Sequence, residues 1–156
     1  MVIGAGPVPS PGGPARIVRA SPDAIGAAGG DTGAVTVPAA ILVVDDHDGF
    51  RAFARTMLEL AGFTVAEAAT GAEATEAARI FRPRLVLLDV QLPDVDGFEV
   101  ARRLASQEHG PVIVLTSTRE ASDYGGQITA SPAAGFVPKD QLSAAAMHQF
   151  LAQRPA

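Results

Sequence analysis

Cysteine is absent from this 156-residue chain, which excludes disulfides, thiolate metal sites and a cysteine nucleophile, and counts against a small extracellular disulfide scaffold. Lysine is nearly absent as well: of the 12 basic residues only Lys139 is a lysine. No run approaches the roughly 18 apolar residues that a membrane span requires. The N-terminus lacks a Lys/Arg-led apolar segment with a cleavage site, so a cytoplasmic location is expected and no membrane partner. Positive charge is in deficit, 12 Lys+Arg against 17 Asp+Glu for a net charge of −5, which argues against direct nucleic-acid binding. Chemistry must therefore come from carboxylates, hydroxyls, the 3 histidines or the basic residues.

What is present suffices for one domain, with 47% hydrophobic residues to build a core. Residues 1–39 stand apart. Gly, Pro, Ala and Ser dominate them, with prolines at 7, 9, 11, 14, 22 and 38, and such a segment has too little to bury to offset its ordering entropy. A disordered tail over 1–39 and a folded domain over 40–156 are expected. Val2 to Pro7, VIGAGP, imitates the start of a dinucleotide-binding fingerprint, but only three residues precede Gly4, too few for the strand it needs, and the prolines that follow forbid the helix.

From Ala40 onward short apolar runs alternate with helical patterns. Strands are expected at Ile41–Val44, Thr64–Ala68, Leu85–Leu88, Val112–Leu115 and Phe136–Val137. Phe50, Phe53, Met57, Leu58 and Ala61 recur at helical spacing before Gly62. Thr70 with Glu73 forms a capping box for a helix that runs through Phe81 and is stopped by Pro83. Further helices are expected near 97–107, with Phe98, Ala101 and Leu104 inward, and near 143–152. Residues 118–134, with Gly125, Gly126 and Pro132, predict a poor or short helix. Strands that alternate with helices imply a doubly wound α/β domain, its parallel sheet covered on both faces.

The strands share a feature at their carboxyl ends. ILVV is followed by Asp45-Asp46, LVLL by Asp89, VIVL by Thr116-Ser117 and FVP by Lys139. Ligands of open α/β sheets bind outside these ends, so three carboxylates, a hydroxyl and an ammonium are expected to converge. Singly, an Asp after a strand is a cap or turn residue, which suits Asp48, Asp94 and Asp96. Together, carboxylates within about 6 Å repel one another unless a cation neutralises them, and a set of oxygens suits Mg²⁺ better than zinc, for which only His47 beside the cluster is available. Lys139 suits a phosphate, Thr116 donates a hydroxyl, and Asp89, alone on the central strand, is the expected nucleophile toward phosphorus.

VVDD at Val43–Asp46, LLDVQLPDVDG at Leu87–Gly97, VLTS at Val114–Ser117 and GFVPK at Gly135–Lys139, in this order and spacing, closely resemble the receiver domain of two-component response regulators over about residues 41–152. The resemblance implies a flavodoxin-like sheet of strand order 2-1-3-4-5. It also implies Asp89 as phosphoacceptor, Asp45, Asp46, Asp89 and the Gln91 carbonyl as holders of Mg²⁺, Thr116 as switch hydroxyl, Lys139 as phosphate contact and Phe136 as switch aromatic. The implied donor is a histidine kinase or phosphotransfer protein, and a homodimer is compatible. Two features depart from the family: Asp140 rather than proline follows Lys139, and residues 118–134 are poor in helix formers.

The expected function is that of a stand-alone receiver in a phosphorelay, self-phosphorylating rather than a turnover enzyme, acting through a protein partner. Two rivals are an aspartate-dependent Mg²⁺ phosphatase and a degenerate receiver used as a docking scaffold. The phosphatase pattern Asp-x-Asp-x-Thr is half met by Asp46 and Asp48, but Phe50 holds the threonine position.

Overall fold

A computed structural model describes residues 40–153; the tail 1–39 with its VIGAGP stretch, and residues 154–156, lie outside the described residues. Five strands form one parallel sheet: β1 (Ala40–Val44), β2 (Thr64–Ala68), β3 (Leu85–Asp89), β4 (Val112–Ser117) and β5 (Gly135–Pro138). Their order across the sheet is β2-β1-β3-β4-β5, the doubly wound arrangement expected. The connecting helices are α1 (Asp48–Leu60), α2 (Gly71–Phe81), α3 (Gly97–Ala105), the short α4 (Gln127–Ala130) and α5 (Ala144–Ala152). A 3₁₀ turn at Ala121–Tyr124 precedes α4, so the glycine-rich stretch does yield only short helical pieces.

Strand residues alternate between two cores. Leu42, Val44, Val86, Leu88, Ile113 and Leu115 meet Ala74 and Ala77 of α2 and Phe98 and Leu104 of α3. Ile41, Val43, Leu85, Leu87 and Val114 meet Ala54 and Leu58 of α1 and Met147 of α5. A strand covered on both faces has no polar face to offer water, which explains why Leu85 to Leu88 are all fully buried. In α1 the buried face differs from the expected one. Phe53 is 57% exposed and Ala61 is exposed, whereas Arg51 is buried with Ala54 and Leu58. The helix is rotated because Arg51 reaches a counterion inside the domain: its Nε donates to Glu67 Oε1 of β2 at 3.2 Å.

Two loop residues fix the segment between β3 and α3. Thr70 caps α2 through Glu73 N–H, but Glu73 returns its bond to Ala69 N–H rather than to Thr70. The remaining donors at that end, Gly71 and Ala72 N–H, are taken by Asp94 from the far loop at 2.8 and 3.0 Å. Asp96 caps α3 through Glu99 N–H. Gly97 lies so close to β3 that an added Cβ would stand 2.3 Å from Asp89 O and 2.8 Å from Val90 Cα. Backbone cannot yield there without moving Asp89.

Gly97→Ala is therefore expected to cost a few kcal/mol, in the range of overpacking substitutions, and to shift the Asp89 backbone resonances; denaturant unfolding with amide NMR checks both. Asp94→Ala is expected to cost about 0.5–1 kcal/mol as a lost cap. Desolvation raises the Asp94 pKa, but the amide hydrogen bonds from Gly71 and Ala72 outweigh it and the net shift is downward from 3.8. This stabilisation is thus present above the unfolded pKa and lost as pH falls through the folded one, so wild type and variant should converge in urea titrations at acid pH.

Candidate functional site

All strands of a parallel sheet end at one edge, so the residues that follow them meet there. Asp45 leaves β1 fully buried, and Asp89 closes β3 with its side chain 4% exposed. Lys139 leaves β5, two strands from Asp89 in the sheet order, and only its long stem spans that gap. Its Nζ stands 2.5 Å from Asp45 Oδ2 and 3.3 Å from Asp89 Oδ2, and 4.7 Å from the centre of the Phe50 ring, a cation–π distance. Asp46 lies on the open side, 41% exposed. A cavity of about 240 Å³ opens between Asp46, His47, Asp89, Gln91, Thr118 and Lys139.

The carboxylates are oriented by backbone. Gln91 N–H donates to Asp89 Oδ1 at 3.0 Å, and His47 N–H to Asp45 Oδ1 at 2.8 Å. Asp45 Oδ2 is buried and, although in ion-pair contact with Lys139, has no partner in hydrogen-bond geometry. Burial raises the Asp89 pKa; the amide bond from Gln91 opposes this, the Asp45 charge adds to it, and Lys139 does not cancel the rise. For Lys139 burial acts downward, but its close contacts with the Asp45 and Asp89 carboxylates outweigh it and hold the ammonium above its ordinary range.

Ligand atoms of Asp45, Asp46, His47 and Asp89 all lie within 4.8 Å of one another. Three carboxylates gathered this closely, one of them on the open side of the pocket, fit a hard divalent cation such as Mg²⁺.

Asp45, Asp46, Asp89, Gln91 and Lys139 are thus brought together as expected. Thr116 is in register with Asp89 on the neighbouring strand, but its hydroxyl donates to Val137 O at 2.6 Å and it is buried. Exposed Thr118 lines the cavity instead. Phe136 is half-buried, its ring centre 6.1 Å from that of Tyr124, whose hydroxyl is 2.6 Å from Ser117 Oγ. Arg51 escaped the sequence reading. Besides Glu67 it holds Asp45 O at 2.6 Å and pairs with Asp48, which pins the acidic loop to α1. The signal was Glu67, a lone acid inside the strand TVAEA that needs a buried cation.

Comparison with known proteins points to one family. The family model for the response regulator receiver domain matches residues 41–151. The transcriptional regulatory protein AfsQ1 of Streptomyces coelicolor is 39% identical over 83 residues, which cover 53% of this chain and 37% of AfsQ1. The chain spans between about a third and a half of the length of the curated relatives it matches. Among solved structures, the signal receiver domain of NarL from Mycobacterium tuberculosis is similar at 30% identity and a TM-score of 0.69, covering 76% of this chain and 100% of that one. The BeF₃-activated receiver domain of Klebsiella pneumoniae RstA is similar at 26% identity and a TM-score of 0.67, covering 73% and 99%.

The charge balance predicts opposite effects for two substitutions. A raised folded pKa means that ionised Asp89 subtracts from stability at neutral pH, and the penalty disappears as pH falls through that pKa. Asp89→Asn is expected to gain on the order of 1 kcal/mol at pH 7, a rise of about 2–8 °C in Tm, which fades in acid. Lys139→Met leaves buried Asp45 and Asp89 uncompensated and should cost up to about 3 kcal/mol at pH 7. The wild-type contribution of Lys139 is present below its unfolded value of 10.5 and lost as pH rises through its folded pKa. Thermal unfolding across pH 3–11, about the span of these titrations, reads both signs.

Proposed function

The chain belongs to the response regulator receiver domain family, and on that premise we propose that it accepts a phosphoryl group on Asp89 and signals by the change this makes at the β4–β5 surface. The observation that carries the reading is the meeting of Lys139 with Asp45 and Asp89 beside an open cavity that Asp46 and Gln91 also line.

Asp89 is the nucleophile. Burial makes its carboxylate more basic than a solvated one, and the bond from Gln91 N–H aims it. A carboxylate oxygen attacks phosphorus in line while the donor's bond to phosphorus breaks, and the electron pair leaves with the donor. Lys139 supplies a compact positive charge for the transferring oxygens. Asp45, Asp46, Asp89 and the Gln91 carbonyl would hold Mg²⁺, which supplies charge neutralisation for the same oxygens. Thr116 is a positioning hydroxyl held in reserve: it must give up its bond to Val137 O, worth about 0.5–1.5 kcal/mol, to meet the phosphoryl group. That movement loosens the contact between β4 and β5 beside Phe136, which packs on Tyr124, and the added charge of about −1, as an ionised carboxylate becomes a doubly charged acyl phosphate, drives it.

The donor in this reading is a histidine kinase or phosphotransfer protein in the cytoplasm. The output in this reading is a protein contact made by the surface around β4, β5 and α5. Among the described residues no helix is long and apolar enough to cross a membrane.

Incubation with Mg²⁺ and a small acyl-phosphate donor is expected to add the mass of one phosphoryl group, mapped to Asp89. Asp89→Asn and removal of Mg²⁺ with EDTA should each abolish the addition. Labelling at another residue would reassign the acceptor, and turnover of phosphate monoesters without labelling would favour the phosphatase rival.

A further inference from the structure

His47 holds the N-cap position of α1, yet its ring makes no capping hydrogen bond. The ring turns back over the acidic pair instead. Nδ1 lies 3.1 Å from Asp45 Oδ1 and 3.2 Å from Asp46 Oδ1, and the carboxylate of Asp45 is itself anchored by the His47 main-chain N–H. A nitrogen placed almost evenly between two carboxylate oxygens can share one proton with them or share one cation with them. The spacing is that of a hydrogen bond and equally that of two ligands on one ion. Two ligands at right angles on an ion, with bonds of about 2.1 Å, are separated by about 3.0 Å. Both measured distances match such an edge. The same ring lines the cavity with Asp89 and is 70% exposed, so a cation entering from solvent meets it directly.

We propose that His47 is a nitrogen ligand of the cation site and sets its metal preference, drawing in borderline divalent ions such as Ni²⁺ and Co²⁺ beyond what the carboxylates alone would select. The inference rests on the reading that Asp45 and Asp46 hold a divalent cation. Its chemistry is the pairing of ligand and metal: imidazole suits nickel, zinc and copper, whereas Mg²⁺ prefers oxygen and keeps its waters. A neutral nitrogen added to a carboxylate set therefore raises affinity for the first class and leaves Mg²⁺ nearly indifferent.

The test uses the untagged full chain, with His47→Ala, His47→Asn and Asp46→Asn, titrated calorimetrically with Mg²⁺ and with Ni²⁺; His109 and His148 are present throughout, so their background cancels. Removal of the imidazole is expected to weaken Ni²⁺ by about tenfold or more, given that loss of even an outer-shell partner has effects of this size, and Mg²⁺ by no more than about twofold. Asp46→Asn should weaken both ions. The absorption bands of bound Co²⁺ provide a second reading: they should shift between wild type and His47→Ala, as expected when a nitrogen leaves the coordination sphere. An unchanged Ni²⁺ to Mg²⁺ preference with identical Co²⁺ spectra would overturn the role of His47 and leave the carboxylate site standing. Failure of wild type to bind Mg²⁺ at all would instead overturn the carboxylate reading, and the inference with it.

Discussion

Lys139 stands between two buried carboxylates on different strands, and the architecture of the site follows from that contact. Asp45 and Asp89 lie at the ends of fully covered strands, where a lone ionised carboxylate would be costly. One ammonium shared between them makes both tolerable, but only where the sheet order sets β1 beside β3 and leaves the lysine stem just long enough to cross the end of β4. The compensation is incomplete. Asp89 remains harder to ionise than a solvated aspartate and Asp45 keeps an oxygen without a hydrogen bond, so the pocket retains an unmet demand for positive charge on its open side. A divalent cation is suited to that demand.

A second buried charge system holds the first in place. Arg51 joins α1 to β2 through Glu67 and to the acidic loop through Asp45 O, and Arg55 adds a contact to Glu67 Oε2 at 3.3 Å. On the other side of the cavity Asp94 and Gly97 clamp the loop after β3, one by capping a neighbouring helix and the other by allowing backbone to touch backbone. The carboxylates are therefore carried on elements that cannot drift apart without breaking buried polar bonds, the arrangement a pre-organised site requires.

Where the sequence was legible, the reason is local. Apolar runs bounded by Gly and Pro located all five strands to within two residues, because a doubly covered strand shows as a continuous aliphatic block. The Thr70 and Asp96 caps were readable for the same reason. The face of α1 was not: Phe53 has helical spacing with Phe50 and Met57, yet Arg51 took the buried position because its partner lies 16 residues away on β2. Asp94 was legible as a cap or turn residue, but the helix it caps begins 23 residues earlier, a pairing no local pattern encodes.

What the sequence alone determined is the inventory and its order: polar residues at successive strand ends, one lysine, no thiols, and the alternation of elements that makes a parallel sheet. Those depend on periodicity and composition, which act between near neighbours. The tertiary structure decided which of these groups share a pocket and which way each points. Lys139 spans two acids, Thr116 turns to Val137 O while Thr118 faces the cavity, and His47 leans over Asp45 and Asp46 rather than capping its helix. Side-chain direction at a strand end is set by neighbours from other strands, through desolvation and charge, and those neighbours meet only when the sheet is assembled.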